Sequence, residues 1–199
     1  MQTADMIPDP IRHHLGSRKG WRASATSLGL GLVSALALPP VHLVPLLWLC
    51  VPGLLVLLAT APTIRAGFWR GYAFGFGHNL AGLYWISIAL LTEADRFGWL
   101  VPLAVPAIAA LLALFVAVPC LVWAWVTASD RPRLSIGNVA LLAGLLTFGE
   151  LARGHVLTGF PWNQWGSVWA FDPIALQGAA WIGAGGLGLV TLVAAGLAA

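Results

Sequence analysis

The sequence predicts an all-α polytopic integral membrane protein: a bundle of about six transmembrane helices with a cytoplasmic N-terminus. Three observations carry that expectation. The 199-residue chain is 59% hydrophobic and only 9% charged, whereas soluble domains average roughly 25% charged residues. Its mean hydropathy is +0.87, which leaves too little polar surface to cover the apolar side chains in water. Apolar runs near the roughly 20 residues that cross a bilayer also recur along its length. A water-soluble globule is excluded.

Residues 1–22 are polar and basic, with Arg12, Arg18, Lys19 and Arg22, and are expected on the cytoplasmic side. The first apolar run, about 23–38, ends at Pro39-Pro40. A basic stretch before a short apolar core, with Ala35-Leu36-Ala37 in an A-x-A arrangement, has features of a leader peptide. The chain becomes apolar again within a few residues, which suits a hairpin of two spans better. Further spans are expected at about 43–61, 67–91, 99–127, 135–152 and 174–199. Pro45 and Pro52 are expected to kink the second span, and Pro102, Pro106 and Pro119 the fourth. Such breaks persist in a bilayer only where neighbours re-satisfy the backbone, so the helices should pack together. Gly67, Gly71 and Gly75, continuing to Asn79, recur every four residues, as do Ala180, Ala184 and Gly188. That spacing lets helix backbones approach closely. Cys50 and Cys120 lie in apolar runs and are expected to pack as small hydrophobes.

Charge placement gives the orientation. With the N-terminus inside, the inner segments hold Arg12, Arg18, Lys19, Arg22, Arg65, Arg70, Arg131 and Arg133, and the outer ones only Arg96 and Arg153. Basic residues favour the cytoplasmic side. The loop 153–173 therefore faces outward, to the periplasm or cell exterior. It is dense in rings, with Phe160, Trp162, Trp165, Trp169 and Phe171 beside Pro161 and Pro173. Two readings stay open for it: an aromatic belt at headgroup level, or a surface that handles lipid tails or headgroups. Tyr84 and Trp85 are expected at the same level, in the belt or in the wall of a lipid-facing cleft.

Glu150 and Arg153 stand three apart at the outer end of the fifth span and share a helix face. Ionisable residues at membrane depth are costly, so the pair is either functional or a structural ion pair that orders the following loop. His78 and Asn79 are placed near the middle of the third span, where interhelical hydrogen bonds are the expected role. No zinc spacing, phosphate-binding glycine loop or serine elbow occurs, and neither cysteine has a nearby base. No catalytic centre, metal or cofactor is read in these residues.

The run Glu150-x-x-Arg153-Gly154, followed by Leu157-Thr158-Gly159-Phe160-Pro161-Trp162-Asn163, resembles the apolipoprotein N-acyltransferase family of bacteria. Gly75-Phe76-Gly77, Gly82-Leu83-Tyr84-Trp85 and Pro39-Pro40 add to the likeness, as does the order of spans over nearly the whole chain. The resemblance implies an inner-membrane bundle that anchors a nitrilase-like periplasmic domain. In such enzymes Glu, Lys and Cys act as base, stabiliser and nucleophile. The cysteine takes an acyl chain from a phospholipid donor as a thioester and passes it to the amine of a diacylglyceryl apolipoprotein acceptor. That triad has no counterpart among these residues, so this chain alone is expected to be inactive. The last span closes on Val193–Ala199 without a basic anchor, and the expectation is the N-terminal part of a longer or split gene product. By the same resemblance Tyr84, Trp85, Phe160, Pro161, Trp162, Asn163 and Trp165 are candidates for a lipid cleft, with Glu150 and Arg153 ordering the loop. Two other classes stand beside this one: a small-molecule membrane transporter, and a non-catalytic scaffold for a separate catalytic chain.

Overall fold

The computed structural model describes residues 20–128, 134–156, 159 and 161–198. Among them the chain is helical throughout. Helix α1 (Gly20–Ser34) runs into a 3-10 turn at Ala35–Ala37, and a second turn at Val44–Leu46 leads into α2 (Leu47–Ala59). Then come α3 (Ile64–Gly82), α4 (Trp85–Leu91), the single turn α5 (Ala94–Phe97), α6 (Val101–Leu112) and α7 (Leu114–Val126). Helix α8 (Ile136–Arg153) follows, then a 3-10 turn at Trp165–Trp169 and finally α9 (Pro173–Gly196). Three helical stretches are long and apolar enough to cross a membrane: Ala94–Val126, Ile136–Arg153 and Pro173–Gly196. The pair α3 and α4 makes a fourth if its 47° bend is taken as one crossing, and α2 is a shorter apolar helix.

One end of the bundle gathers the start of α1, the 60–63 turn, the end of α7 and the start of α8, where Trp123 Nε1 donates to the Asn138 carbonyl at 2.9 Å. The opposite end gathers the Pro39-Pro40 hairpin, the α3–α4 bend and the loop 154–172. His42 Nδ1 there lies 3.2 Å from the Val168 carbonyl oxygen, which ties the hairpin to the loop.

Helix α3 is the central element, and its sequence explains why. Its glycine stripe faces α7: a Cβ placed at Gly71 would stand 2.5 Å from the Cβ of Cys120, and one at Gly75 would stand 2.8 Å from the Cβ of Val116. On the other side Gly77 meets the backbone of α1 at Leu28, and Gly31 of α1 meets the Phe74 carbonyl. Small residues thus let α3 contact two helices at backbone range, the arrangement expected of membrane bundles. The core around it is apolar, from Leu47, Leu54 and Leu55 through Phe74 to Trp123 and Leu142. Cys50 and Cys120 are free and fully buried within it.

Several expectations are corrected. Pro45 and Pro102 do not kink spans; they start helices, where a missing N–H breaks no bond. The 47° bend falls instead between α3 and α4, because α3 ends at Gly82. His78 and Asn79 lie in the last turns of α3, beside the loop and just before that bend. Finally, the Ala180–Gly188 stripe packs mainly on the Trp165–Trp169 turn: Gly188 and the Ala184 carbonyl meet Gly166, a Cβ at Gly188 would also stand 3.6 Å from Glu150 Oε2 of α8, and Ala180 is exposed. Helix α9 is also interrupted at Gly183, whose φ of 70° and ψ of 170° only glycine adopts freely. Pro52, Pro106 and Pro119 do lie inside helices. The Phe115 carbonyl, whose helical donor would be residue 119, is met by Gly149 of α8.

If the α3–α7 approach holds the bundle, Gly71→Ala should destabilise it by about 1–3 kcal/mol, the usual range for overpacking. Adding Cys120→Gly, which removes the contacted Cβ, should restore part of that loss. Thermal unfolding in detergent measures both; equal melting of Gly71→Ala and the parent chain would show that the approach is loose.

Candidate functional site

The loop after α8 does not lie loosely on the membrane surface. It is fastened into the bundle by a buried polar cluster. The cluster begins in the last turn of α8, where Glu150 and Arg153 are each 5% exposed and approach to 3.8 Å between Oε1 and Nη2. The same Oε1 accepts the backbone N–H of Trp165 at 2.9 Å. A carboxylate thus caps the free N–H at the start of the Trp165–Trp169 turn, and a charged acceptor makes that bond stronger than a neutral one. The Trp165 ring, 3% exposed, lies 4.4 Å from His78 and 6.3 Å from Phe74, centroid to centroid.

His78 is held from the other side. Its Nδ1 lies 2.8 Å from Ser34 Oγ, and that hydroxyl donates its proton to the Gly31 carbonyl at 2.7 Å. Where the hydroxyl's single proton goes to that carbonyl, its oxygen accepts the Nδ1 proton of the imidazole. A nucleophilic serine needs the opposite polarity, with its proton given to the histidine. Ser34 and His78 form a clasp between α1 and α3. Asn79 donates back to the Gly75 carbonyl of its own helix at 2.8 Å. These side chains surround a small cavity with Asn163 and the Glu150–Arg153 pair. Its accessible volume is about 10 Å³, close to what one water needs. Among the described residues, Asn79 Oδ1, Glu150 Oε2 and Asn163 Nδ2 are buried without a direct hydrogen-bond partner. Buried polar atoms of this kind are usually joined by internal water.

Two left-handed residues shape the exposed part of the loop. Gly159 has φ 85° and Asn163 has φ 56°, a region that glycine and asparagine enter most readily. Between them Pro161 is exposed, and Trp162, 54% exposed, places its ring 5.1 Å from that of Trp85. The neighbouring Tyr84 is 49% exposed. Asn163 reaches the end of α3, where a Cβ at Gly82 would stand 2.5 Å from its Nδ2. Further along, Trp169 Nε1 donates to Thr191 Oγ1 of α9 at 2.8 Å, and Phe171 packs on His42 at 5.0 Å.

The structure thus divides the residues picked out by sequence. Glu150, Arg153, Asn163 and Trp165 converge on the cavity, and Tyr84, Trp85, Pro161 and Trp162 gather outside it. Phe160 lies outside the described residues. Ser34 and His42 were not singled out by sequence reasoning; each is polar but has its partner far along the chain, 44 and 126 residues away. Among the described residues no group of three His, Cys, Asp or Glu side chains is arranged to hold a metal.

Removing the carboxylate with Glu150→Ala should free the Trp165 amide and leave Arg153 buried and uncompensated. Hydrogen bonds to charged groups contribute about 1.5–3 kcal/mol, so hydrogen exchange at Trp165 should accelerate roughly tenfold to a hundredfold. Unchanged exchange would mean that ring packing alone holds the loop.

The model of the family described as "Apolipoprotein N-acyltransferase N-terminal domain" matches residues 30–197. An apolipoprotein N-acyltransferase of Caulobacter vibrioides is 41% identical over 179 residues, covering 88% of this chain and 33% of the relative. Those of Allorhizobium ampelinum and Rhodopseudomonas palustris are 36% and 35% identical, covering 82% and 87% of this chain and 32% of each relative. The chain thus spans about a third of the length of these curated relatives. With the match running from α1 to the end of α9, through the clasp, the cavity and the docked loop, the chain belongs to the apolipoprotein N-acyltransferase family and carries its N-terminal domain.

Proposed function

We propose that the chain is the membrane part of an enzyme that moves an acyl group from a phospholipid to the N-terminal cysteine amine of a diacylglyceryl apolipoprotein. In this reading the acyl-transfer chemistry resides in a nitrilase-like domain, joined in cis or supplied in trans, which corresponds to the part of the relatives that this sequence does not span. The bundle anchors that domain in the inner membrane and shapes the access of lipid and lipoprotein. The single observation that carries the assignment is the docked loop. A flexible loop would let its tryptophans scatter over the headgroup layer. Here Glu150 and Trp165 fix the backbone, so Trp162, Trp85 and Tyr84 form one preset aromatic mouth at the bundle end. Rings in that position suit acyl chains and ester groups alike, with an apolar face and a polar edge.

The distribution of charge supports an outward-facing mouth. Arg22, Arg65 and Arg70 belong to the opposite end of the bundle, and Glu93, Asp95, Glu150 and Asp172 to the end that carries the loop. A transporter reading finds less support, since the polar cavity at the centre of the site has room for about one water.

The assignment is tested in bacteria depleted of their own N-acyltransferase. Residues 1–199, joined to the remaining two thirds of the Caulobacter vibrioides relative, should restore N-acylation of lipoproteins, read by mass spectrometry of their N-terminal peptides. In the same chimera, Trp162→Ala with Trp85→Ala should lower acylation while leaving insertion and loop protection intact. Restoration by residues 1–199 alone would refute the division of labour, and full activity of the double variant would remove the mouth from it.

A further inference from the structure

The opposite end of the bundle holds a second feature. Between the starts of α1 and α3 and the end of α2 lies an open cavity of about 420 Å³, lined by Trp21, Ser24, Thr60, Ala66, Trp69 and Arg70 among others. Arg70 is 3% exposed, yet among the described residues no carboxylate pairs with it. Its Nη1 donates to the Leu57 carbonyl and to Thr60 Oγ1, the latter at 3.3 Å. These neutral acceptors orient the guanidinium without cancelling its charge. The described acidic residues, Glu93, Asp95, Glu150 and Asp172, all belong to the other end of the bundle. A buried cation with no counter-charge among the described residues is expensive, and the cavity wall gives it one open side.

The surroundings identify the missing counter-charge. Arg22 and Arg65, both exposed, add positive field at this end of the bundle. Ser24 and Thr60 supply hydroxyls in the cavity wall. Trp21 and Trp69 are 71% and 47% exposed, and Trp69 is braced edge-on by Phe68 and Tyr72 at 5.3 and 5.7 Å. Exposed tryptophans beside a membrane helix end lie at headgroup depth, and arginine is the side chain best matched to phosphate oxygens.

We propose that this cavity binds the phosphodiester headgroup of an anionic phospholipid, with Arg70 as its principal ligand and Trp21 and Trp69 flanking the glycerol region. The site stands apart from the aromatic mouth: Arg70 precedes Gly82 by twelve residues, about 18 Å along α3, and the proposal does not depend on acyl transfer. An anionic lipid fits better than a zwitterionic one, because a headgroup ammonium would meet the same positive field. A lipid fits better than free phosphate, because the exposed rings at the rim offer apolar surface that only a lipid covers.

The test uses the 199-residue chain in neutral detergent, with its thermal unfolding followed during titration with phosphatidylglycerol, phosphatidylcholine or inorganic phosphate. Phosphatidylglycerol should raise the unfolding temperature at concentrations roughly tenfold lower than phosphatidylcholine, and phosphate should have no effect. Arg70→Gln should weaken the phosphatidylglycerol effect at least tenfold. Should that variant fail to fold, Ser24→Asp keeps Arg70 and places a carboxylate in the cavity wall; it should weaken the effect comparably. Equal stabilisation by phosphatidylcholine, or by phosphate alone, would overturn the anionic-lipid assignment. An undiminished phosphatidylglycerol effect in Ser24→Asp would overturn the site.

Discussion

A single buried carboxylate governs the loop-bearing half of this molecule. Glu150 ends α8 inside the bundle, faces Arg153 on its own helix and accepts the amide of Trp165 fifteen residues later. Without that acceptor, the Trp165–Trp169 turn would present an unpaired N–H to a nearly dry interior, a loss that hydrophobic packing does not repair. With it, one bond determines where the loop re-enters, which tryptophan is swallowed and which is left outside. Everything proposed for the aromatic mouth follows from that choice.

The polar cluster is costly, and its geometry shows how the cost is contained. Burying an ion pair gives little net stability by itself, and losing one partner is destabilising by about 3–5 kcal/mol. The cluster is therefore a device for specifying position more than for adding stability. Its members come from four separate segments: Ser34 behind His78, then His78 and Asn79, the Glu150–Arg153 pair, and Asn163. His78, Asn79, Glu150, Arg153 and Asn163 line the shared cavity, and Ser34 holds His78 from behind. The glycine-lined contacts of α3 with α1 and α7 make the framework stiff enough for such alignment. At the far end Arg70 has the opposite arrangement, a charge fixed by neutral groups and open to a cavity. One end of the bundle closes its charges on each other; the other leaves one open.

Much of this was legible in the sequence because membranes make certain residues conspicuous. Glu150 and Arg153 stood out as charges at the edge of an apolar run, and Gly67, Gly71 and Gly75 as small residues on one helix face. The motif glycines proved to mark close backbone approaches, Gly75 on Val116, Gly77 on Leu28 and Gly82 on Asn163. What composition did not convey was depth. Eleven tryptophans read alike as interfacial rings, and only a contact far along the chain tells Trp165, inside, from Trp162, outside. Gly183 was hidden because a run of small residues looks the same whether it packs a helix or breaks one. Ser34 gave no signal, being one small polar residue whose partner is 44 positions away.

The most direct test concerns the loop itself. In intact cells, with Cys50 and Cys120 replaced by alanine, a single cysteine is placed either at exposed position 162 (Trp162→Cys) or at fully buried position 168 (Val168→Cys), and a membrane-impermeant maleimide is added from outside. Docking, together with the proposed outward orientation, predicts rapid labelling at 162 and none at 168 until the protein is unfolded. Equal labelling at both positions would contradict docking, and labelling at 162 only after the cytoplasm is opened would contradict the orientation.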